Sequence, residues 1–225
     1  MAFEFLTGRL QNNLKYFGGE QKFMLHQDVV KSFITLQSKA MRSGINLQIV
    51  SAYRSYEAQA KIWNDKVTGK RKIFDDQGQL VIPDELSEDE LIDAICRFSA
   101  IPGASRHHWG TDLDIYDLNI KERTLVKLTE QEYQTDFEKL NLFLQDETSK
   151  ENPNLLLPYD RDRGGIAVEP WHVSFQQVSS GFNDAYTIDI FKKNLTQSSF
   201  HLKDFIEDRL EEIFNRFVKN NLNSE

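Results

Sequence analysis

A single cysteine, Cys96, excludes an internal disulfide and leaves disulfides silent on compartment. No apolar run approaches the roughly 18 residues that a spanning helix needs, so no membrane span is expected. Basic residues are the minority, 27 against 35 acidic, and the net charge of −8 argues against a nucleic-acid partner, since such proteins neutralise phosphates with clustered lysine and arginine. Repeats, low-complexity segments and a Pro/Gly/Ser-rich linker are all missing. The start, Met-Ala-Phe-Glu-Phe-Leu-Thr, lacks a basic stretch followed by an apolar one. That predicts a cytoplasmic protein; a leader removed ahead of this sequence would instead place it in the periplasm or cell wall. What remains is 225 residues, 40% hydrophobic and 28% charged, enough for a well-cored domain.

Periodicity predicts a helix from an Asp28 cap to Gly44, then a strand over Leu47–Tyr53 with Arg54 at its end. A short helix over Tyr56–Asp65 follows, then a hairpin across Arg71–Pro83 turning at Asp75-Asp76-Gln77-Gly78. Ser87/Glu90 and Thr129/Glu132 read as capping boxes. The second opens a helix carrying Tyr133, Phe137, Leu140 and Leu144 on one face. Leu113–Tyr116 reads as a strand, and Gly165–Glu169 and Trp171–Phe175 as neighbouring strand segments broken at Pro170. The last amphipathic stretch, Leu202 to Phe217, reads as a helix packed on the core. Strands and helices do not alternate in parallel-crossover order, which predicts an α+β class in a single domain over 1–225. Residues 1 to about 45 and 180–225 read as helices outside a central core. The charged stretch Lys66–Glu90 reads as a lid near a cleft or as a solvated hairpin.

Chemistry-bearing residues gather in two places. Ser105-Arg106-His107-His108-Trp109-Gly110-Thr111-Asp112-Leu113-Asp114 offers a loop histidine and a strand aspartate seven positions apart. Glu169-Pro170-Trp171-His172 offers a carboxylate and a histidine three apart. Catalytic zinc takes three N or O ligands and keeps one position open, and His107, Asp114 and His172 supply such a set. A further group must take a proton from the attacking water, and Glu169 fits that role. His108 competes with His107, and Asp112 with Asp114. Strand alternation places both aspartates on one face and cannot separate them. His26 and His201 read as structural, and Trp109 and Trp171 as walls of the site.

The blocks Ser51-Ala-Tyr-Arg54-Ser55, Ser105-x-His107-x-x-Gly110-x-x-x-Asp114 and Glu169-Pro-Trp-His172 together resemble the signature of VanY-type zinc D-alanyl-D-alanine carboxypeptidases, of the LAS metallopeptidase group. The match runs from about 47 to 175. It implies an α+β fold with a small antiparallel sheet carrying a zinc site, flanked by helices. It implies His107, Asp114 and His172 as Zn2+ ligands, Glu169 as general base, and Arg54 as the cation meeting substrate oxygen. Ser105, Gln59, Tyr53 and Ser51 follow as substrate-pocket residues, and a peptidoglycan stem peptide or muropeptide as the substrate partner. Two departures bear on specificity: Asp112 stands where the family commonly has a small residue, and Val173-Ser174-Phe175 follows the last histidine. An L,D-carboxypeptidase, an endolysin-like endopeptidase or a non-catalytic zinc module remains open, as does the oligomeric state.

Overall fold

The computed structural model describes residues 2–19, 22–151 and 153–219. In chain order the elements are α1 (Phe3–Leu6), β1 (Leu14–Phe17), β2 (Phe23–His26), α2 (Val30–Arg42), β3 (Leu47–Ser51), α3 (Tyr56–Val67), β4 (Ile73–Phe74), β5 (Leu80–Val81), α4 (Glu88–Cys96), β6 (Asp112–Asp117), α5 (Glu130–Thr135), α6 (Glu138–Thr148), β7 (Leu155–Leu156), β8 (His172–Phe175), α7 (Gln176–Ala185), α8 (Ile188–Thr196), α9 (Lys203–Asp208) and α10 (Leu210–Ile213). Strands pair antiparallel throughout: β1 with β2, β4 with β5, and a central sheet in the order β3-β6-β8-β7. The class is α+β, a small antiparallel sheet flanked by helices.

Alternation along the central strands makes the sheet two-faced. Leu47, Ile49, Leu113, Ile115, Val173 and Phe175 join one apolar cluster with Phe33 and Leu36 of α2, Tyr133 of α5 and Leu140 and Leu144 of α6. Burying each such side chain stabilises the fold by roughly 1.5–3 kcal/mol. The intervening residues, Asp112, Asp114, His172 and Ser174, are polar and equally buried. Such groups persist only when paired or ligated, so this face is where chemistry is to be sought. A second cluster joins Trp63 of α3, Ile92 and Ile95 of α4, Phe191 of α8, Ile206 of α9 and Ile213 of α10.

Several local expectations are corrected. Residues 14–26 form a hairpin rather than helix. Asp28 does not cap α2; its amide donates to His26 Nδ1 at 3.4 Å, and the helix begins two residues later. The strand after Gly44 ends at Ser51, past an irregularity between Ile49 and Ser51, so Arg54 lies beyond it. The capping box at Ser87 and Glu90 closes in both directions. At Thr129 only half forms: the hydroxyl accepts from the Glu132 amide, but Leu128 at φ +54 turns the chain so that the Glu132 carboxylate takes the Lys127 and Leu128 amides instead. The helix then breaks at Phe137, though its apolar face stays continuous. Residues 165–169 form no strand, because their amides go to scattered carbonyls, Ala167 to Arg97 and Glu169 to Tyr159. The neighbours of β8 are β6 and, at the sheet edge, β7. The C-terminal stretch is not one helix but α9, α10 and a π-helical turn at Phe214–Val218. Residues 220–225 of that expected segment lie outside the described residues. No described helix is long and apolar enough to cross a membrane.

Candidate metal centre and cleft

The turn carrying His107 runs through Arg106–Trp109 and closes at Gly110, φ +68, where a Cβ would meet the His26 backbone nitrogen at 2.8 Å. Only glycine fits there. His107 Nδ1 donates to the Ala52 carbonyl at 3.0 Å, which leaves Nε2 facing Asp114 Oδ2 at 3.4 Å. Register does the rest: Asp114 lies directly opposite His172 across β6 and β8, and opposite Ser51 across β3 and β6. His172 Nδ1 is 3.4 Å from Asp114 Oδ1 and 3.4 Å from Glu169 Oε2. One ligand atom from each of His107, Asp114 and His172 lies within 4.8 Å of the others, and all three residues are buried. Asp114 Oδ1 and His172 Nδ1 are buried with no hydrogen-bond partner. Two orphaned electron-pair donors side by side in a dry place are what a cation would satisfy. Two imidazoles and one carboxylate, with one side open, are the donor set of a catalytic zinc ion.

The competing residues have other duties. His108 is fully buried; Nδ1 donates to the Arg54 carbonyl at 2.6 Å and Nε2 accepts from the Gly103 amide at 3.1 Å. Neither nitrogen is left for a metal, and burial pulls its pKa down to about 3. Asp112 shares the face of Asp114 but takes the far nitrogen of His172, accepting from Nε2 at 3.1 Å. Arg106 Nε at 2.6 Å and the Thr111 hydroxyl at 2.7 Å also donate to its carboxylate. Burial opposes its ionisation, but Arg106 and His172 outweigh burial and hold it well below the usual carboxylate range. Burial likewise opposes charge on His172, yet the carboxylates of Asp112, Asp114 and Glu169 raise its pKa well above that of an ordinary histidine. His26 packs against Phe5 and Phe182, as a structural histidine.

The triad opens onto a cavity of about 220 Å³ lined by residues including Arg54, Arg71, Ser105, Tyr159, Glu169 and Trp171. A larger cleft of about 540 Å³ lies beside α5, α6 and β7 but holds no histidine or cysteine. Arg54 donates to Gln59 Oε1 at 2.8 Å and to the Ser51 hydroxyl at 3.2 Å, while Gln59 Nε2 donates to the Ala100 carbonyl at 2.6 Å. Of the pocket residues expected from sequence, Arg54 and Ser105 line the cavity. Gln59 and Ser51 stand behind Arg54 and aim it. Tyr53 is corrected: its hydroxyl donates to the Gly8 carbonyl at 3.1 Å and does not reach the cavity wall. Trp171 is a wall; Trp109 is not, its ring nitrogen donating to the Leu6 carbonyl while its ring packs near Tyr186. Sequence reasoning missed Tyr159, whose ring centroid is 4.8 Å from that of His172, and Arg71. Both sit in loops whose sequence has no period, so no local signal marks them.

A family model of VanY D-alanyl-D-alanine carboxypeptidases matches residues 22–179. Two uncharacterised proteins of Haemophilus influenzae are similar. One is 35% identical over 100 residues, 44% of this chain and 68% of that one. The other is 26% identical over 121 residues, covering 52% and 92%. Among solved structures, the LdcB LD-carboxypeptidase has a TM-score of 0.52 at 20% identity, covering 91% of this chain and 78% of that one. A vancomycin-resistance D,D-pentapeptidase VanY mutant in complex with Zn(II) has a TM-score of 0.49 at 18% identity, covering 80% and 93%. With the family model spanning well over half of its length, the chain belongs to the VanY D-alanyl-D-alanine carboxypeptidase family.

Proposed function

We propose that the protein is a zinc-dependent carboxypeptidase that removes the C-terminal residue of peptidoglycan stem peptides ending in D-Ala-D-Ala. The observation that carries this reading is the buried His107–Asp114–His172 triad with two orphaned donor atoms, opening onto a cavity that also holds Glu169 and Arg54. Family membership supports the substrate class. The reading takes 1–225 as one peptidase domain; Arg209 and Arg216 support it by pairing with Asp93 of α4.

When bound, zinc supplies a Lewis acid that polarises the scissile carbonyl and makes water acidic enough to attack near neutral pH. Glu169, at the edge of the triad, accepts the proton from the attacking water and delivers it to the leaving amine nitrogen as the C–N bond breaks. Arg54, aimed by Gln59 and Ser51, donates to substrate oxygen. Asp112 fixes His172 with Nδ1 turned to the triad. Trp171 and Tyr159 wall the cleft against water.

The test is a mass-spectrometric digest of defined muropeptides by the zinc-loaded protein and by Glu169→Gln. Loss of one terminal D-Ala is expected from the wild type. Glu169→Gln should keep its zinc while turnover falls by at least ~10². Cleavage at an internal cross-bridge or of an L,D bond moves the assignment to those relatives. Zinc binding with no cleavage of any peptide favours a non-catalytic module.

A further inference from the structure

Lys66, on α3, is only 7% exposed, yet among the described residues its ammonium has no hydrogen bond or ion pair. Its ammonium is not among the fully enclosed polar atoms, so the stem is buried while the charge keeps an opening. Arg71 is exposed at the cavity wall beside Arg54, again with no partner among the described residues. Its place is fixed by the backbone, since its amide donates to the Asp65 carbonyl at 2.7 Å after the turn at Gly69. Lys66 shares the buried face of α3 with Gln59, which holds Arg54, and lies one turn after Ile62, which lines the cavity. Arg106, the other cation of the cavity wall, is already matched by Asp112. Three cations thus converge where Glu169 and Asp114 are the opposing carboxylates, and a divalent ion on the triad cancels those two. The cleft then presents more positive charge than one terminal carboxylate can match, in a protein whose net charge is −8.

We propose that Lys66 and Arg71 form a second anion subsite beside Arg54, so that the preferred substrate is a peptide with a side-chain carboxylate near the scissile bond as well as its C-terminal one. This rests on the carboxypeptidase reading. Burial, with Arg71 and Arg54 adding to it, draws the Lys66 pKa down to about 8, and an incoming carboxylate would reverse that pull.

The probes are tetrapeptides derived from one ending in D-Ala-D-Ala, with each of the last three positions in turn replaced by glutamate or glutamine and configuration kept. At one position or more, the glutamate peptide should show about ten-fold higher kcat/KM than its glutamine twin, the scale of one charge-assisted contact. Arg71→Gln and Lys66→Met should each bring that ratio toward one. Calorimetric binding of the same pairs to zinc-loaded Glu169→Gln reads the subsite without turnover, so a failure of the carboxypeptidase reading shows separately. Equal handling of glutamate and glutamine at all three positions in both assays overturns the proposal. So does a preference that survives both substitutions.

Discussion

Asp112 and Asp114 face the two nitrogens of one imidazole: Asp112 Oδ1 accepts from His172 Nε2 at 3.1 Å, and Asp114 Oδ1 stands 3.4 Å from His172 Nδ1. The hydrogen bond to Asp112 fixes the tautomer that leaves Nδ1 unprotonated for a metal, and it raises the basicity of that nitrogen. Asp112→Asn should therefore weaken zinc binding by about 10- to 100-fold, measured by competition with a chelating indicator. Asp112→Ala should in addition lose about 3–5 kcal/mol of stability, because it leaves Arg106 buried without its carboxylate. Unaltered zinc affinity in both variants would show that His172 is oriented by something else.

Adjacent histidines make a sharper comparison. His107→Ala removes a nitrogen of the triad, and zinc content should fall together with activity. His108→Ala removes none and should keep about one zinc per chain. It leaves the Arg54 carbonyl and the Gly103 amide unpaired, at about 1–3 kcal/mol each, so its penalty should appear in Tm. Metal analysis and a thermal melt on the same samples decide this. Full zinc in His107→Ala with loss in His108→Ala would reverse the ligand assignment.

The central part of this site could be read from the chain because its pieces are local patterns joined by register. The seven-residue step from His107 to Asp114 spans one turn and half a strand, and the antiparallel pairing of β6 with β8 brings Asp114 against His172. Alternation gave the shared face of Asp112 and Asp114 but not their division of labour. Which nitrogen of His172 each one meets depends on a ring orientation that no local pattern encodes. Tyr159 and Arg71 reach the cleft by tertiary packing from loops. The hairpin at 14–26 was hidden for a similar reason: in Leu14-Lys15-Tyr16-Phe17 the middle pair is exposed and the ends half-buried, so the two-residue period of a strand is missing.

Acid stability follows from His108. Its pKa in the folded protein, about 3, lies below the ordinary value of 6.5, because burial disfavours the charged ring. Between those values the unfolded chain binds the extra proton, so stability rises with pH across the window and is lost as pH falls from about 6.5 toward 3. The slope from this one group approaches about 1.4 kcal/mol per pH unit. His108→Asn, already less stable at neutral pH, should lose less on acidification than the wild type. Denaturant melts at pH 7, 5.5 and 4.5 measure the difference, and parallel losses in the two proteins would remove His108 from the account.

Under the proposed function, Arg54 is the residue that would read the end of the substrate. Its guanidinium lines the cavity, and its Nη1 and Nη2 donate to Gln59 and Ser51, which aims the group while leaving further N–H donors for an incoming oxygen. A planar fork can hold a carboxylate through two parallel hydrogen bonds, which lysine cannot reproduce. If the C-terminal carboxylate is its partner, converting that carboxylate to an amide removes a charge-assisted contact of about 1.5–3 kcal/mol. At about 1.4 kcal/mol per decade, kcat/KM should fall roughly 10- to 150-fold. Arg54→Lys should cost the free-acid peptide a similar factor and the amide very little, since both changes delete the same interaction. The measurement is a double cycle of wild type and Arg54→Lys against a pentapeptide ending in D-Ala-D-Ala and its C-terminal amide. Equal wild-type rates on acid and amide would point to an endopeptidase, with Arg54 serving the scissile carbonyl. Small, equal losses on both peptides in Arg54→Lys would reduce Arg54 to a structural cation between Gln59 and Ser51.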